Sequence, residues 1–390
     1  MNKRDVRDLD VGDKRVLVRV DFNVPVKDGE VTDDTRIRRA LPTIRYLLQE
    51  GARPVLISHL GRPKGEPDQK YAMDPVATRL QDLLGESVKK LDAAVGPEVA
   101  EALDDWDRRG VVLLENSRFY AGETSNDAGF ADQLAALADL YVDDAFGAAH
   151  RAHATTVGVP QRMPAAAGLL MEEEIDYLDK VLEDPERPFV AILGGAKVSD
   201  KLGVIESLLG IADSLLIGGA MGFTFFQALG YEVGDSLVED DYLEEAKRLM
   251  EEAGDRLILP VDVVVAGAME EGAESETVAV DDIPPGKMGL DIGPETVALF
   301  EGHISDASTI FWNGPMGVFE IDAFAKGTEG VARAVAESGA TSVVGGGDSV
   351  AAVNKLGLED RMSHISTGGG ASLEYVEGKE LPGIAVLPDK

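Results

Sequence analysis

From Thr341 to Glu374 the chain reads TSVVGGGDSVAAVNKLGLEDRMSHISTGGGASLE, and it contains one device twice. Thr341 to Val344 is a short β-branched run ending in Gly345-Gly346-Gly347-Asp348, after which Val350, Ala351, Val353 and Leu356 return at helical spacing. Ser363 to Thr367 then runs into Gly368-Gly369-Gly370, and Ala371 to Glu374 opens another helix. Glycines between strand and helix let the backbone approach a ligand closely and aim the unpaired amides of the first helical turn outward. An anion belongs at such a place. A single helix terminus stabilises an exposed charge by about 0.3–1 kcal/mol, so two on one group suit a multiply charged phosphate. One glycine run alone reads equally well as a tight turn; the repetition, with Asp348 as a candidate magnesium ligand, points to a site. Neither run is a Walker A loop or a GxGxxG fingerprint.

Upstream, strands repeatedly empty into polar or glycine-rich loops, where open α/β sheets hold ligands. Arg15 to Val20 delivers Asp21-Phe22-Asn23-Val24-Pro25, and Thr35-Arg36-Ile37 starts a helix with Ile37, Leu41, Ile44, Leu47 and Leu48 on its apolar side. Pro54 to Ser58 leads to His59-Leu60-Gly61-Arg62, Val111 to Leu114 to Glu115-Asn116-Ser117-Arg118, and Leu140 to Val142 to the loop Asp143 to His153. Arg36, Arg62, Arg118 and Arg151, with His59, His150 and His153, suggest a basic pocket for a small polyanion, because arginine forks match carboxylate and phosphate oxygens. Leu170 to Leu182 reads as one helix connecting two halves. The second half restarts with Phe189 to Leu193, a continuous apolar run emptying into Gly194-Gly195-Ala196-Lys197-Val198-Ser199-Asp200-Lys201. Lys197 and Lys201 are expected on one face of a helix, where a bound polyphosphate explains two cations. Ser214 to Ile217, Arg256 to Leu259 and Thr309 to Trp312 read as further strands.

At 390 residues, two domains are the better expectation. Cysteine is absent, which excludes disulfides, thiolate metal sites and a cysteine nucleophile. The polar N-terminus is no signal peptide and no stretch reads as a membrane span, so a cytoplasmic protein without a membrane partner is expected. With 71 acidic against 37 basic residues, the net charge of −34 repels nucleic acid. Between Ser236 and Asp282, fifteen acidic residues and three basic ones are spread through apolar positions, as in the solvated acidic shell of halophilic proteins. No long apolar surface stripe is evident, so a monomer is the default.

Taken in order, Arg19 to Pro25, Ser58 to Pro63, Gly194 to Lys201, Trp312 to Glu320, Gly345 to Ser349 and Ser366 to Gly370 resemble the successive motifs of phosphoglycerate kinases. The resemblance implies an α/β fold of two Rossmann-like lobes, each a parallel sheet covered by helices: 1–168 with 375–390 returning to it, a hinge helix within 169–185, and 186–374. It implies reversible phosphoryl transfer between 1,3-bisphosphoglycerate and MgADP, giving 3-phosphoglycerate and MgATP, with lobe closure. Asp21, Phe22, Asn23, Arg36, His59, Leu60, Gly61, Arg62, Arg118 and Arg151 match the phosphoglycerate site. Lys197 and Lys201 match the residues on the transferring group and nucleotide phosphates, Asp348 the magnesium-associated aspartate, and Gly346, Gly347 and Ser349 the phosphate turn. Gly219, Gly289, Asn313 and Glu320 fall around the nucleoside, and Arg36 with amides near Gly347 and Gly370 would hold the moving group. Ser117 stands where the family usually has Leu, and Lys287 where it often has Trp. Two other readings of the residues are a nicotinamide-dependent dehydrogenase, which lacks its GxGxxG and leaves the lysines idle, and a non-catalytic two-lobed anion-binding protein.

Overall fold

A strand covered on both faces has no polar side to show, so it reads as an unbroken apolar run. Phe189–Leu193 is such a run, and all five of its residues are buried. The computed structural model describes residues 2–106 and 109–390. They form two compact units, one reaching to Asp176 and completed by Glu380–Lys390, the other Tyr177–Lys379.

The first unit contains β1 (Arg15–Val20), β2 (Val26–Lys27), β3 (Glu30–Val31), β4 (Arg53–Ile57), β5 (Val88–Lys90), β6 (Val111–Leu113), β7 (Leu140–Asp144) and β8 (Ala165–Ala167). Six of them make a parallel sheet in the order β5-β6-β4-β1-β7-β8, and β2 pairs β3 in a small antiparallel hairpin. β1 is central, with Leu17 between Val55 and Tyr141. The chain leaves β1 on one side and later returns to its other side, so a switch point lies between β1 and β7, where the carboxyl ends of strands leave a crevice. The helix Thr35–Gln49 buries Ile37, Leu41, Ile44 and Leu47 on the core beside β1 and β4.

The second unit contains β9 (Phe189–Leu193), β10 (Ser214–Ile217), β11 (Leu257–Ile258), β12 (Asp262–Ala266), β13 (Ser275–Ala279), β14 (Met288–Ile292), β15 (Thr309–Asn313), β16 (Thr341–Gly345) and β17 (His364–Ile365). Its parallel sheet runs β11-β10-β9-β15-β16-β17, which puts a second switch point between β9 and β15. Both large sheets are thus parallel and α/β, as expected. The antiparallel sheet β13-β12-β14 was not foreseen. β12 holds the β-branched run Val263 to Val265, but β13 beside it is mostly exposed and carries no hydrophobic pattern that would announce a sheet.

Three local expectations need correction. Lys197 and Lys201 do not lie on a helix: the helix begins at Leu202, with Lys201 at its N-cap and Lys197 in the preceding loop. Gly194 and Gly195 delay helix formation, and Glu239 takes up the Ser199 amide and hydroxyl at 3.0 and 2.6 Å. Asp143 and Asp144, expected in a loop, complete β7 and are fully buried. The strand expected over Arg256 to Leu259 is only Leu257–Ile258. The connecting helix is Leu169–Leu182, and the division between units falls inside it, between Asp176 and Tyr177, while the C-terminal return begins at Glu380. Its first half packs with the first unit, where Asp144 accepts hydrogen bonds from the Leu170 and Met171 amides, and its second half with the second, where Tyr177 stacks on His364.

Candidate active site

At the first switch point, the loop after β1 and the start of the helix Thr35–Gln49 hold one another. Arg36 donates to the Asn23 carbonyl at 3.0 Å and lies 3.3 Å from the Asp21 carboxylate. Asn23 Oδ1 accepts the Gly61 amide at 2.8 Å, and Arg118 donates to the Gly61 carbonyl at 2.8 Å. Asp21, Asn23, Arg36, Gly61 and Arg118 are therefore one connected set. Gly61 has φ +62°, and a Cβ there would fall 2.2 Å from the Tyr71 ring, so glycine is required on two counts. Arg62 and Arg151 are exposed, and Arg151 donates to His150 Nε2 at 2.9 Å. The side chains of Phe22 and Leu60 pack in the core, which leaves only their backbone for a ligand.

The electrostatics of this corner are those of an anion site. Burial, and then the charge of Arg19 and Arg118, holds the His59 imidazole well below its ordinary range, so the ring is neutral. Burial and the neighbouring Arg118 bring His153 down to about 4. Arg118 is itself lowered, by burial and then by Arg19, and its buried Nε has no hydrogen-bond partner. A buried guanidinium that burial and a neighbouring arginine both disfavour, with one donor left unpaired, lacks a counter-charge. A bound polyanion reverses that penalty.

At the second switch point glycines bring three strand ends into backbone contact. A Cβ on Gly194 would meet the Pro315 carbonyl at 2.1 Å, one on Gly219 the Gly195 amide at 2.5 Å, and one on Gly314 the Gly194 carbonyl at 2.2 Å. The helices Gly347–Lys355 and Gly370–Val376 start directly after β16 and after the loop beyond β17, with Gly346 at φ +88° and Gly369 at φ +50° as their N-caps. A cavity of about 390 Å³ is lined by Lys197, Lys201, Asn313, Gly346, Gly347, Asp348, Ser349, Gly369 and Gly370. Lys197 and Asp348 are exposed in it, Lys201 donates to Asn313 Oδ1, and the buried Asn313 Nδ2 has no partner. Burial pushes the Lys201 ammonium down to about 8. Ser349 Oγ accepts the Gly314 amide at 2.6 Å, joining the turn to β15.

This cavity shares Gly195, Ala196, Pro315 and Asp348 with a larger one of about 760 Å³, lined by Gly219, Phe223, Phe226, Leu237, Val263, Met269, Gly289, Met316 and Glu320. A Cβ on Gly289 would fall 1.9 Å from the Phe223 ring, so that glycine makes room for an aromatic wall. Lys287 does not line the cavity; its ammonium lies 4.0 Å from Glu276. A narrow cationic end and a broad apolar end match a phosphate chain attached to a flat heterocycle.

The sequence reading passed over several residues now seen in or beside these sites. Arg19 lies inside β1, where its alternation with valines reads as plain strand, yet it is 1% exposed and 2.9 Å from His59. Glu123, fully buried, and Thr155 support it from segments more than thirty residues apart. Asp291 in β14 lines the large cavity and is raised to about 7 by burial, although it accepts the Ile292 and Gly327 amides at 2.9 and 2.7 Å. A buried charge in an otherwise apolar strand was the available signal for Arg19 and Asp291.

A sequence model of the phosphoglycerate kinase family matches residues 6–379. The phosphoglycerate kinase of Rubrobacter xylanophilus is 78% identical over 390 residues, covering 100% of this chain and 99% of that protein. That of Thermosipho africanus is 57% identical over 397 residues, with 100% and 99% covered. Among solved structures, phosphoglycerate kinase from Coxiella burnetii superposes with a TM-score of 0.88 at 42% identity, and that from Pyrococcus horikoshii with 0.87 at 33%, each covering 98% of both chains. Two parallel-sheet units with a cationic corner at one switch point and a glycine-lined cavity at the other therefore carry the family's sequence across nearly their whole length, and the chain belongs to the phosphoglycerate kinase family, an enzyme of the kinase class.

Proposed function

We propose that the chain moves a phosphoryl group between MgATP and the carboxylate of 3-phosphoglycerate, in either direction. The observation that carries this is the junction of two cavities in the second unit, one lined by both glycine-capped helix starts and both lysines, the other apolar and of a size for a nucleoside. The nucleotide's phosphates lie along Gly346, Gly347 and Ser349, with Lys201 on them and Glu320, Gly219, Gly289 and Asn313 around the nucleoside. Asp348, in the first turn of its helix, is the one protein carboxylate we assign to magnesium. That suits an ion which keeps waters and phosphate oxygens as its other ligands and withdraws charge from the phosphate chain when bound. The first unit holds phosphoglycerate through Asp21, Asn23, Arg36, His59, Arg62, Arg118 and Arg151, with the Phe22, Leu60 and Gly61 backbone.

Both reacting oxygens, a carboxylate and a diphosphate, are ionised at neutral pH, so no general base is needed. What remains is charge on the equatorial oxygens of the transferring group. Lys197, Arg36 and the amides at Gly347 and Gly370 meet that charge. Because the two substrates are held by different units, we assign the helix Leu169–Leu182 the role of a hinge whose bending brings them in line and excludes water. We also read the acidic surface as an adaptation to high salt and the chain as a cytoplasmic monomer. Among the described residues no helix is long and apolar enough to cross a membrane.

The deciding experiment is turnover of MgATP with 3-phosphoglycerate in buffers from dilute to multimolar KCl, with the acyl phosphate captured by a salt-tolerant coupled dehydrogenase. Rapid, substrate-dependent turnover is expected. Folded protein that binds both substrates and turns over neither would leave an anion-binding role.

A further inference from the structure

His59 has one ring nitrogen already committed. Its Nδ1 lies 2.9 Å from a terminal nitrogen of Arg19. A guanidinium has donors and no acceptor, so Nδ1 must accept, and the proton of the neutral ring sits on Nε2. Nε2 makes no hydrogen bond to any described residue, so its N–H is left for a ligand. Arg19 cannot turn away. Its Nε donates to Thr155 Oγ1 at 2.9 Å, and its other terminal nitrogen donates to the Val20 carbonyl.

Having accepted from Arg19, the Thr155 hydroxyl gives its own proton to Glu123 Oε1 at 2.6 Å, while the Thr155 amide donates to Glu123 Oε2 at 3.1 Å. Glu123 and Thr155 are wholly buried, and His153 Nδ1 stands 3.9 Å from the same carboxylate. After burial, the strongest influences on the His59 ring are those of Arg19, Arg118, Arg36 and His153, and each of them disfavours its protonation. Burial and the neighbouring arginines keep His59 neutral, so the tautomer is the only variable left.

We propose that Glu123, Thr155 and Arg19 form a positioning relay that holds His59 as its Nε2-protonated tautomer, so that the ring meets an anionic oxygen of the substrate as a donor. The inference rests on the first unit being the phosphoglycerate site. Carboxylate and ionised phosphate oxygens only accept, so the opposite tautomer would face them with a lone pair. A donor-only residue behind the histidine removes that alternative in advance of binding.

The test is a set of two-bond proton–nitrogen spectra of the full chain labelled with ¹⁵N-histidine, recorded without substrate. Only five histidines contribute, and His59→Gln assigns the signal of interest. The wild-type ring is expected to show a bare Nδ1 and a protonated Nε2, unchanged through neutral pH. Thr155→Val interrupts the relay at constant shape; a mixture of tautomers is expected, with KM for 3-phosphoglycerate raised about tenfold, the size of one lost hydrogen bond, and kcat changed less. Thr155→Ser should restore both. A wild-type ring protonated on Nδ1 or on both nitrogens overturns the relay, whether or not Thr155→Val folds. So does a folded Thr155→Val with the wild-type tautomer and KM. Because the spectra need no substrate, a failed relay is distinguishable from a failed phosphoglycerate assignment, which the turnover assay reads.

Discussion

Lys197 and Lys201 lie four residues apart in one loop and differ in their surroundings, which gives them different tests. Lys197 is exposed and makes no ion pair among the described residues, so Lys197→Ala should leave the melting temperature close to wild type. Turnover should fall by about 10²–10⁵, the range for removing a cation that meets developing charge on a phosphoryl group. Near-normal turnover would end its role. Lys201 is half-buried, and burial lowers it from the ordinary lysine value to about 8. Its charge is complete below that value and is lost as pH rises through it, so nucleotide affinity should weaken above pH 8, and binding near that pH should take up a proton. Calorimetry in two buffers of different ionisation enthalpy reads the uptake directly; equal heats would contradict it. For stability the sign is opposite: above about 8 the unfolded chain holds the proton that the folded one has lost, so this group's contribution rises with pH until lysine titrates normally. Lysine, glycine and arginine positions were legible in the sequence because their types are costly or conspicuous in an acidic chain. Arg19, Glu123 and Asp291 were passed over: a charge inside an apolar strand flags the first and last, but only burial and neighbours distant in sequence give any of the three a role.

The helix Leu169–Leu182 shows how side chains distant in sequence set the start of an element. Asp144 Oδ1 accepts the Leu170 amide at 2.9 Å and the Met171 amide at 3.3 Å, while Thr43 Oγ1 accepts the Leu169 amide at 2.9 Å. These are first-turn amides with no partner inside their own helix. Gly168 precedes them because a Cβ there would lie 2.1 Å from Asp144 Oδ1. Asp144→Ala strands buried amides and should destabilise the protein by about 1–3 kcal/mol in denaturant titration. Asp144→Asn keeps an acceptor and should lose less. Burial raises the Asp144 carboxyl to about 8. The folded state therefore holds its proton where the unfolded chain has released it, and this contribution is full below the ordinary carboxylate range and declines as pH rises through about 8. In Asp144→Asn that part of the pH dependence should vanish; an unchanged slope would mean another group carries it. The helix itself was legible from its apolar spacing. Its cap was not, because Asp144 reads as a loop residue after Val142 and only the pairing of β7 with β1 draws it into the sheet.

For the whole molecule the governing quantity is a net charge of −34. Raising KCl from about 0.01 to 1 M shortens the screening length from about 30 to 3 Å. If self-repulsion limits stability, the melting temperature should climb over that range, and a flat profile would remove the reading of salt adaptation. A hinge predicts a smaller radius of gyration in solution scattering with both substrates bound than with none; identical profiles would count against closure. The sequence by itself determined the α/β class, most strand positions and the paired glycine turns, and it singled out the arginines and lysines proposed to meet the ligands. These follow from local physics: hydrophobic period, backbone freedom of glycine, and charge types set against an acidic background. Only the tertiary structure decided which strand ends meet, that Lys201 faces Asn313 across β9 and β15, that Asp144 caps a helix, and that Glu123 reaches Arg19 through Thr155. A parallel sheet pairs segments separated by a whole crossover, so neighbours in space are not neighbours in sequence, and the state of a buried polar group depends on those neighbours.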